Sequence, residues 1–411
     1  MSANNHEINA AQGRTYLTLF GILSIAILLP ICLLNYFLDP YLIHQWDSPL
    51  LQRLRPSREK LSPWAKTYAI TQYKPEVVFL GNSRTEAGLP AESSLFPGKR
   101  IFNGAITGGS LADAMDMARH AIAVSKVETI VWGIDYWSFN LEAGNTEFDK
   151  ELIARTTYYP SMRALLNIKR TLTVDMTEDS MKMLTGSFGK VCLSSLAFYG
   201  QRDAACAAAN LRDRGGAAKA IEVDVKAVGK QNPDTQTAMK AFAAATTELC
   251  VAGKQVRLYI NPTHALMTDT LYWSGQWERM EAWQTALVEM VGQQKRSGCD
   301  IRLFDFSGFN SVTTEIIPQV ASGKTDMVNY WEASHYRTHV GQMILSRIFN
   351  VGADKIPTDF GAEVTTETLP IHLHQYRQAR DGYHLAHPME VALMKTWLTA
   401  PKKAEMHTAR N

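Results

Sequence analysis

Five short apolar runs, Glu76 to Leu80, Arg100 to Asn103, Thr129 to Trp132, Val256 to Ile260 and Ile301 to Phe306, are separated by stretches with helical periodicity. Strands that alternate with helices do not pair as hairpins, because each connection crosses a face of the sheet before the next strand begins. The pattern predicts an α/β fold with a parallel sheet covered on both faces, a three-layer arrangement. The helices carry the stripe this needs. Trp277, Met280, Trp283, Leu287, Val288 and Val291 fall on one face of a coil ending near Ser297, and Leu111, Met115, Ala118 and Ile122 form a similar face after the second run. Both stripes read as core packing and not as cofactor ligands.

The alternation does not fill the 411 residues. Tyr16 to Leu38 is almost wholly apolar and uncharged, and at about 1.5 Å per residue it covers roughly the 30 Å of a bilayer core. A cleaved signal peptide has a shorter apolar stretch and a small-residue cleavage site; here Asn35-Tyr36-Phe37-Leu38-Asp39-Pro40 follows instead. The reading is an uncleaved anchor at 16–38 after a short cytoplasmic tail at 1–15. A strict count of basic residues, Arg14 before the span against Arg53, Arg55, Arg58 and Lys60 after it, points the large domain inward. Those residues begin well past the helix end and long domains translocate largely regardless of charge, so an external, periplasmic domain on the inner membrane is the expectation.

Residues 39–75 read as a linker without steady periodicity, 76–350 as the α/β domain and 351–411 as a C-terminal extension ending in a frayed basic tail at Lys402 and Lys403. Within the domain the alternation stops between about 141 and 233, predicting a helical cap near the strand ends. Cys32 falls in the span. Of the other four cysteines, Cys250 and Cys299 each lie between an amphipathic helix and a strand, so adjacent parallel strands would bring them together, and Cys192 and Cys206 would then close a short loop. Four reduced thiols remain the open alternative. A net charge of +2 gives no reason to expect a nucleic-acid partner. His372 and His374 alternate as metal ligands can, but without cysteines or acids to complete a set no metal and no cofactor is expected.

The first strand ends in Gly81-Asn82-Ser83, a turn able to hold a serine hydroxyl rigidly beside a base. Asn103-Gly-Ala-Ile-Thr-Gly108 follows the second strand, Trp132-Gly133-Ile134-Asp135 ends the third, and Glu332-Ala-Ser-His335 follows the fifth. Ligands of open parallel sheets gather at the carboxyl edge, where all four segments belong. Together, from about Glu76 to Phe349, they resemble the blocks of the SGNH, or GDSL-type, hydrolase and acyltransferase superfamily.

The resemblance implies Ser83 as nucleophile, His335 as base and Glu332, in place of the usual aspartate, as the acid orienting it. It also implies an oxyanion hole from the N–H groups of Ser83 and Gly108, with Gly109 as fallback. Its third donor is normally an asparagine, and here that position holds Asp135. An ionised carboxylate does not donate, and one lost donor costs about 3–4 kcal/mol of transition-state stabilisation. A protonated Asp135, Asn140 or Asn261 are the candidate replacements. Arg84 reads as a surface residue of the first helical turn or an anchor for an anionic group, and His264 as a solvated loop residue or one bordering the site.

Tether and blocks are similar to those of anchored bacterial proteins related to polysaccharide O-acetyltransferases. This implies an O-acyltransferase or esterase acting on an extracytoplasmic carbohydrate, with a multi-span membrane acyltransferase as partner. A decayed scaffold that binds a glycan or assembly partner without turnover is the alternative, and a lipid or peptidoglycan esterase a third.

Overall fold

A parallel strand buried on both faces is apolar at every position, and this is how the first strand is built. In the computed structural model, which describes residues 2–44, 48–55, 58–142, 144, 153–154, 159–187, 199–320 and 326–399, Val77 to Leu80 are all fully buried. Three helices precede them: α1 (Ser2–Leu38), α2 (Pro49–Leu54) and α3 (Arg58–Tyr73). The region read as a linker therefore contains structure. Its second helix buries Ala65, Tyr68, Ala69 and Ile70, and it packs on the domain. Burial here is continuous from Ala65 to Ile70, Lys66 and Thr67 included, so no apolar period marks it beside the charged residues and Pro63 that precede it.

From β1 (Val77–Leu80) the chain runs through α4 (Ser83–Gly88), β2 (Ile101–Asn103), α5 (Leu111–Val124) and β3 (Thr129–Ile134). The insertion follows, with α6 (Tyr159–Thr171), α7 (Val174–Thr185), α8 (Ala204–Asp213) and α9 (Gly216–Val228) among its described residues. Alternation then resumes with α10 (Thr235–Val251), β4 (Gln255–Ile260), α11 (Ala265–Trp273), α12 (Trp277–Arg296), β5 (Ile301–Asp305) and α13 (Thr338–Phe349). The chain continues through β6 (Ala362–Glu363), α14 (Leu369–Ala386) and α15 (Pro388–Thr399).

The six strands form one sheet in the order β2-β1-β3-β4-β5-β6. The first five are parallel, and β6 pairs antiparallel with β5 through Phe304 and Asp305. All five strands expected from the sequence are present, and the region taken as an extension adds the sixth. It also buries Tyr376 of α14 and Met394 of α15 in the main core, so it belongs to the same domain. The amphipathic stripes lie where their periodicity put them: α5 packs on β1 and α12 on β5. Strand order reverses between β1 and β3, and the crevice at such a switch point, beyond the carboxyl ends, is the usual ligand site of an open α/β sheet.

Cys250 and Cys299 form a disulfide with Cα atoms 5.3 Å apart. They lie just ahead of β4 and β5, neighbours in the sheet, which is the geometry their sequence positions suggested. The companion pairing of Cys192 with Cys206 involves residue 192, which lies outside the described residues, as do the basic tail residues 402 and 403. The 49-residue separation of the formed bridge sets its value. Loop-closure entropy gives about 4 kcal/mol for a ring of that size. Replacing both Cys250 and Cys299 by serine is expected to lower the unfolding free energy by about that amount in a urea titration.

Candidate active site

Gly81 sits at φ +143°, where a side chain is strained, and a Cβ there would come within 2.5 Å of Thr85 Oγ1 and 2.8 Å of the Gly133 carbonyl. Only glycine permits the chain to leave β1 this sharply against β3. The turn places Asn82 as N-cap of α4, its Oδ1 accepting from the Arg84 N–H at 3.0 Å, and Ser83 as the first helical residue.

His335 arrives from the far end of the sequence. Tyr330 and Tyr336 form an antiparallel bridge, and the Trp331 N–H donates to the His335 carbonyl at 2.8 Å, closing a small loop around Glu332-Ala-Ser-His335. Two buried tyrosines dock that loop on the sheet. The Tyr330 hydroxyl donates to the Pro262 carbonyl at 2.9 Å, and the Tyr336 hydroxyl to Asn261 Oδ1 at 3.1 Å. His335 Nε2 lies 2.8 Å from Ser83 Oγ, and its Nδ1 contacts Glu332 Oε1. The serine, histidine and acid singled out from sequence are thus in hydrogen-bonded series, the order in which a base takes a hydroxyl proton while an acid holds its ring.

Glu332 is 2% exposed. Burial works against its charge, but attraction to His335 and hydrogen bonds from His335, Asp224 and the Ser334 N–H, the last at 2.5 Å, outweigh it and hold the carboxyl below the usual range. Asp224, on α9 of the insertion, was not singled out from sequence. One of its oxygens accepts from Arg214 Nη2 at 2.9 Å, the other is buried with no N–H or hydroxyl donor, and the group hydrogen-bonds to Glu332. Two carboxylates cannot share such a contact without a proton. Burial and the Glu332 charge raise Asp224 to about 8, with Arg214 opposing, which favours the shared proton on Asp224.

A second buried acid fixes the loop that follows β2. Glu86, one turn after Ser83, is fully buried; its Oε1 lies 2.7 Å from Lys66 Nζ of α3 and its Oε2 3.3 Å from Arg202 Nη2, which precedes α8. Lys66 also donates to the Ala105 carbonyl, and Thr107 donates to Glu86. The segment 103–108 is therefore tied to α4. It ends in Gly108 at φ +66°, and neither the Gly108 nor the Ser83 N–H has an acceptor among the described residues.

Asp135, at the expected third donor position, is an acceptor. Its Oδ2 receives Asn82 Nδ2 at 2.7 Å, Arg84 Nη1 at 3.2 Å and Asn261 Nδ2 at 3.2 Å. Asn261 is not a free replacement either, because its amide group is also directed at the Ile134 carbonyl at 3.3 Å. Arg84 is no surface residue: its side chain is 12% exposed and its guanidinium lies 5.4 Å from the Trp137 ring centroid. With Gly108, Trp137, Asn140, Lys230 and Asn232 it lines a largely polar cleft of about 470 Å³, one wall of which is the segment after α9. The insertion does reach the strand ends. His264 is buried as N-cap of α11, neither solvated nor in the cleft, and His372 Nε2 pairs with Asp305 at 2.9 Å.

Among comparisons with known proteins, no family model matches the chain, and no curated protein does. A solved structure from Streptococcus pneumonia, titled provisionally as a platelet activating factor, aligns with 11% identity over 70% of this chain and 91% of its own, at a TM-score of 0.33.

Two outcomes follow from the buried acids. Asp224 has a folded pKa raised from 3.8 to about 8, so its proton contributes to stability fully below about pH 4 and no longer above about pH 8. The rate at which a fluorophosphonate inactivates Ser83 is expected to fall above pH 8 as Asp224 and Glu332 come to repel each other, whereas Asp224→Asn, whose amide donates without titrating, keeps the rate level there. Glu86→Ala leaves Lys66 and Arg202 without their shared counter-charge and is expected to cost about 3–5 kcal/mol in denaturant unfolding.

Proposed function

We propose that this chain is a membrane-anchored SGNH-like O-acyltransferase or esterase that works through a serine acyl-enzyme, with an O-acetyl group on an extracytoplasmic carbohydrate as the substrate class. The observation that carries the reading is the 2.8 Å contact between Ser83 Oγ and His335 Nε2, backed by Glu332 on the other ring nitrogen. Residues 252 positions apart are held in the order that nucleophilic acyl transfer needs. The SGNH three-layer plan is part of this proposal, and the β2-β1-β3-β4-β5 parallel order with all four blocks at its carboxyl edge supports it.

In this mechanism Ser83 Oγ attacks the acyl carbonyl carbon as His335 Nε2 takes its proton. The carbonyl oxygen becomes an oxyanion held by the open N–H groups of Ser83 and Gly108. Asp135 would repel that charge if bare, but Arg84 and two amide donors face it, and the guanidinium offsets its field. The tetrahedral centre collapses as His335 returns the proton to the leaving oxygen, giving the acyl-enzyme. Water then hydrolyses it, or a sugar hydroxyl accepts the acyl group, again through His335.

The polar cleft supports a hydroxylated substrate: Asn140, Asn232 and Lys230 offer hydrogen-bonding groups beside Arg84 and Trp137. The helix from Gln12 to Leu38 is long and apolar enough to cross a membrane, and the Cys250–Cys299 disulfide suits an oxidising compartment. Both support a domain outside the inner membrane, in the periplasm, where a multi-span acyltransferase would supply acyl groups. A binding scaffold without turnover is the second reading, favoured by the acceptor at position 135.

Labelling of the full chain by a fluorophosphonate separates the two. On the catalytic reading Ser83 is modified and Ser83→Ala is not, while Glu332→Ala lowers kcat/KM for an aryl acetate by roughly 10³–10⁴-fold. An unlabelled Ser83 would leave only the scaffold.

A further inference from the structure

The anchor does not simply end and release the domain. Its last turn is built into the insertion: Asn35 is fully buried, and its side-chain amide donates to the Thr171 carbonyl at 2.8 Å and to Thr177 Oγ1 at 2.9 Å. Just beyond the helix, the Tyr41 hydroxyl donates to Asp179 at 2.6 Å. The two partners of Asn35 lie on either side of the α6–α7 turn, Thr171 as the last residue of α6 and Thr177 near the start of α7. The turn joining α6 to α7 therefore lies beside the last turn of the span.

That hairpin has one face in the protein and one outside it. Leu166 of α6 and Met176 of α7 are buried with Tyr41, Leu42, Ala65 and Tyr68. The opposite face is apolar as well: Leu165 is 60%, Ile168 61%, Leu172 40% and Val174 81% exposed. Met162, at 50%, extends the stripe at three-residue spacing, one side of a helix. A stripe of this kind on a water-facing helix is unfavourable, and it adjoins the lipid-facing surface of α1, where Leu29, Leu33 and Phe37 are likewise exposed. Asn35 lies three residues before the end of α1, roughly 5 Å along its axis, which sets the turn at the depth where amphipathic helices rest among headgroups and upper acyl chains.

We propose that the α6–α7 turn is a second membrane contact, with Leu165, Ile168, Leu172 and Val174 inserted into the bilayer interface beside the anchor. The occupant of this face is lipid, because the face continues the surface of the span. The domain is then held at a fixed attitude to the membrane by two points. This rests on α1 crossing the bilayer and is independent of any chemistry at Ser83.

The test uses the full, unreduced chain with Cys32→Ser, reconstituted in phosphatidylcholine–phosphatidylglycerol vesicles. An environment-sensitive fluorophore is attached through Val174→Cys, Leu23→Cys in the span, or Leu385→Cys on α14, a site 84% exposed. The probe at 174 is expected to emit to the blue of the probe at 385, to resist aqueous iodide, and to be quenched several-fold more by a lipid carrying a shallow nitroxide. Quenching by iodide at 174 equal to that at 385 would overturn the proposal. So would protection from iodide and lipid nitroxide alike, the signature of a protein partner or second copy on that face. A probe at 23 outside the lipid would remove the span and this inference with it, leaving the acyl-transfer reading of Ser83 to its own labelling experiment.

Discussion

The geometry of the site depends on one fully buried carboxylate, Glu86. It sits a turn beyond Ser83 and takes a cation from each of two distant segments, Lys66 before the sheet begins and Arg202 within the insertion. Through Thr107 and the Ala105 carbonyl the same cluster holds the loop that ends in Gly108. A charge buried this deeply is tolerable only when its partners are all in place. The cluster therefore couples the fold to the site: if α3, the β2 loop or the insertion is displaced, Glu86 loses compensation, and the distance between Ser83 and Gly108 is no longer defined.

Asp135 and Asp224 show two ways of accommodating extra acid beside the Ser83–His335 pair. Asp135 is faced by Arg84 and by the amides of Asn82 and Asn261, which meet its Oδ2 together. Asp224 lies against Glu332, whose charge, together with burial, raises its affinity for a proton. Beneath them a buried chain of hydroxyls runs from Thr85 to Tyr259 at 2.8 Å and on to Tyr336 at 3.0 Å, reaching Asn261. Burial raises both phenols far above neutrality, so this floor stays uncharged. Polar groups from β1, β3, β4 and the His335 loop are thus connected without leaving a lone charge under the serine.

The sheet was legible because parallel strands buried on both faces have no polar alternation to hide them. The same logic hid β6, two residues with an exposed alanine, and α3, whose buried run from Ala65 to Ile70 includes Lys66 and Thr67 and so shows no apolar period. At the site, Ser83, Glu332 and His335 could be found because each belongs to a short segment at a strand end. Asp224, Lys66, Glu86 and Arg202 could not. Their roles are defined by partners on other elements, from 10 to 116 residues away, and no local spacing encodes such a meeting. The residue at position 135 was legible as a departure, but its partner, the guanidinium of the residue after Ser83, required the turn of α4 to be seen.

The covalent staple between Cys250 and Cys299 lies at the amino ends of β4 and β5, whereas Ser83, His335 and the cleft gather at the opposite rim of the same sheet. Redox change at the staple is thereby kept apart from the hydroxyl and the imidazole by the full length of the strands. Reducing the bond would loosen the rear edge of the scaffold without touching the groups at its front.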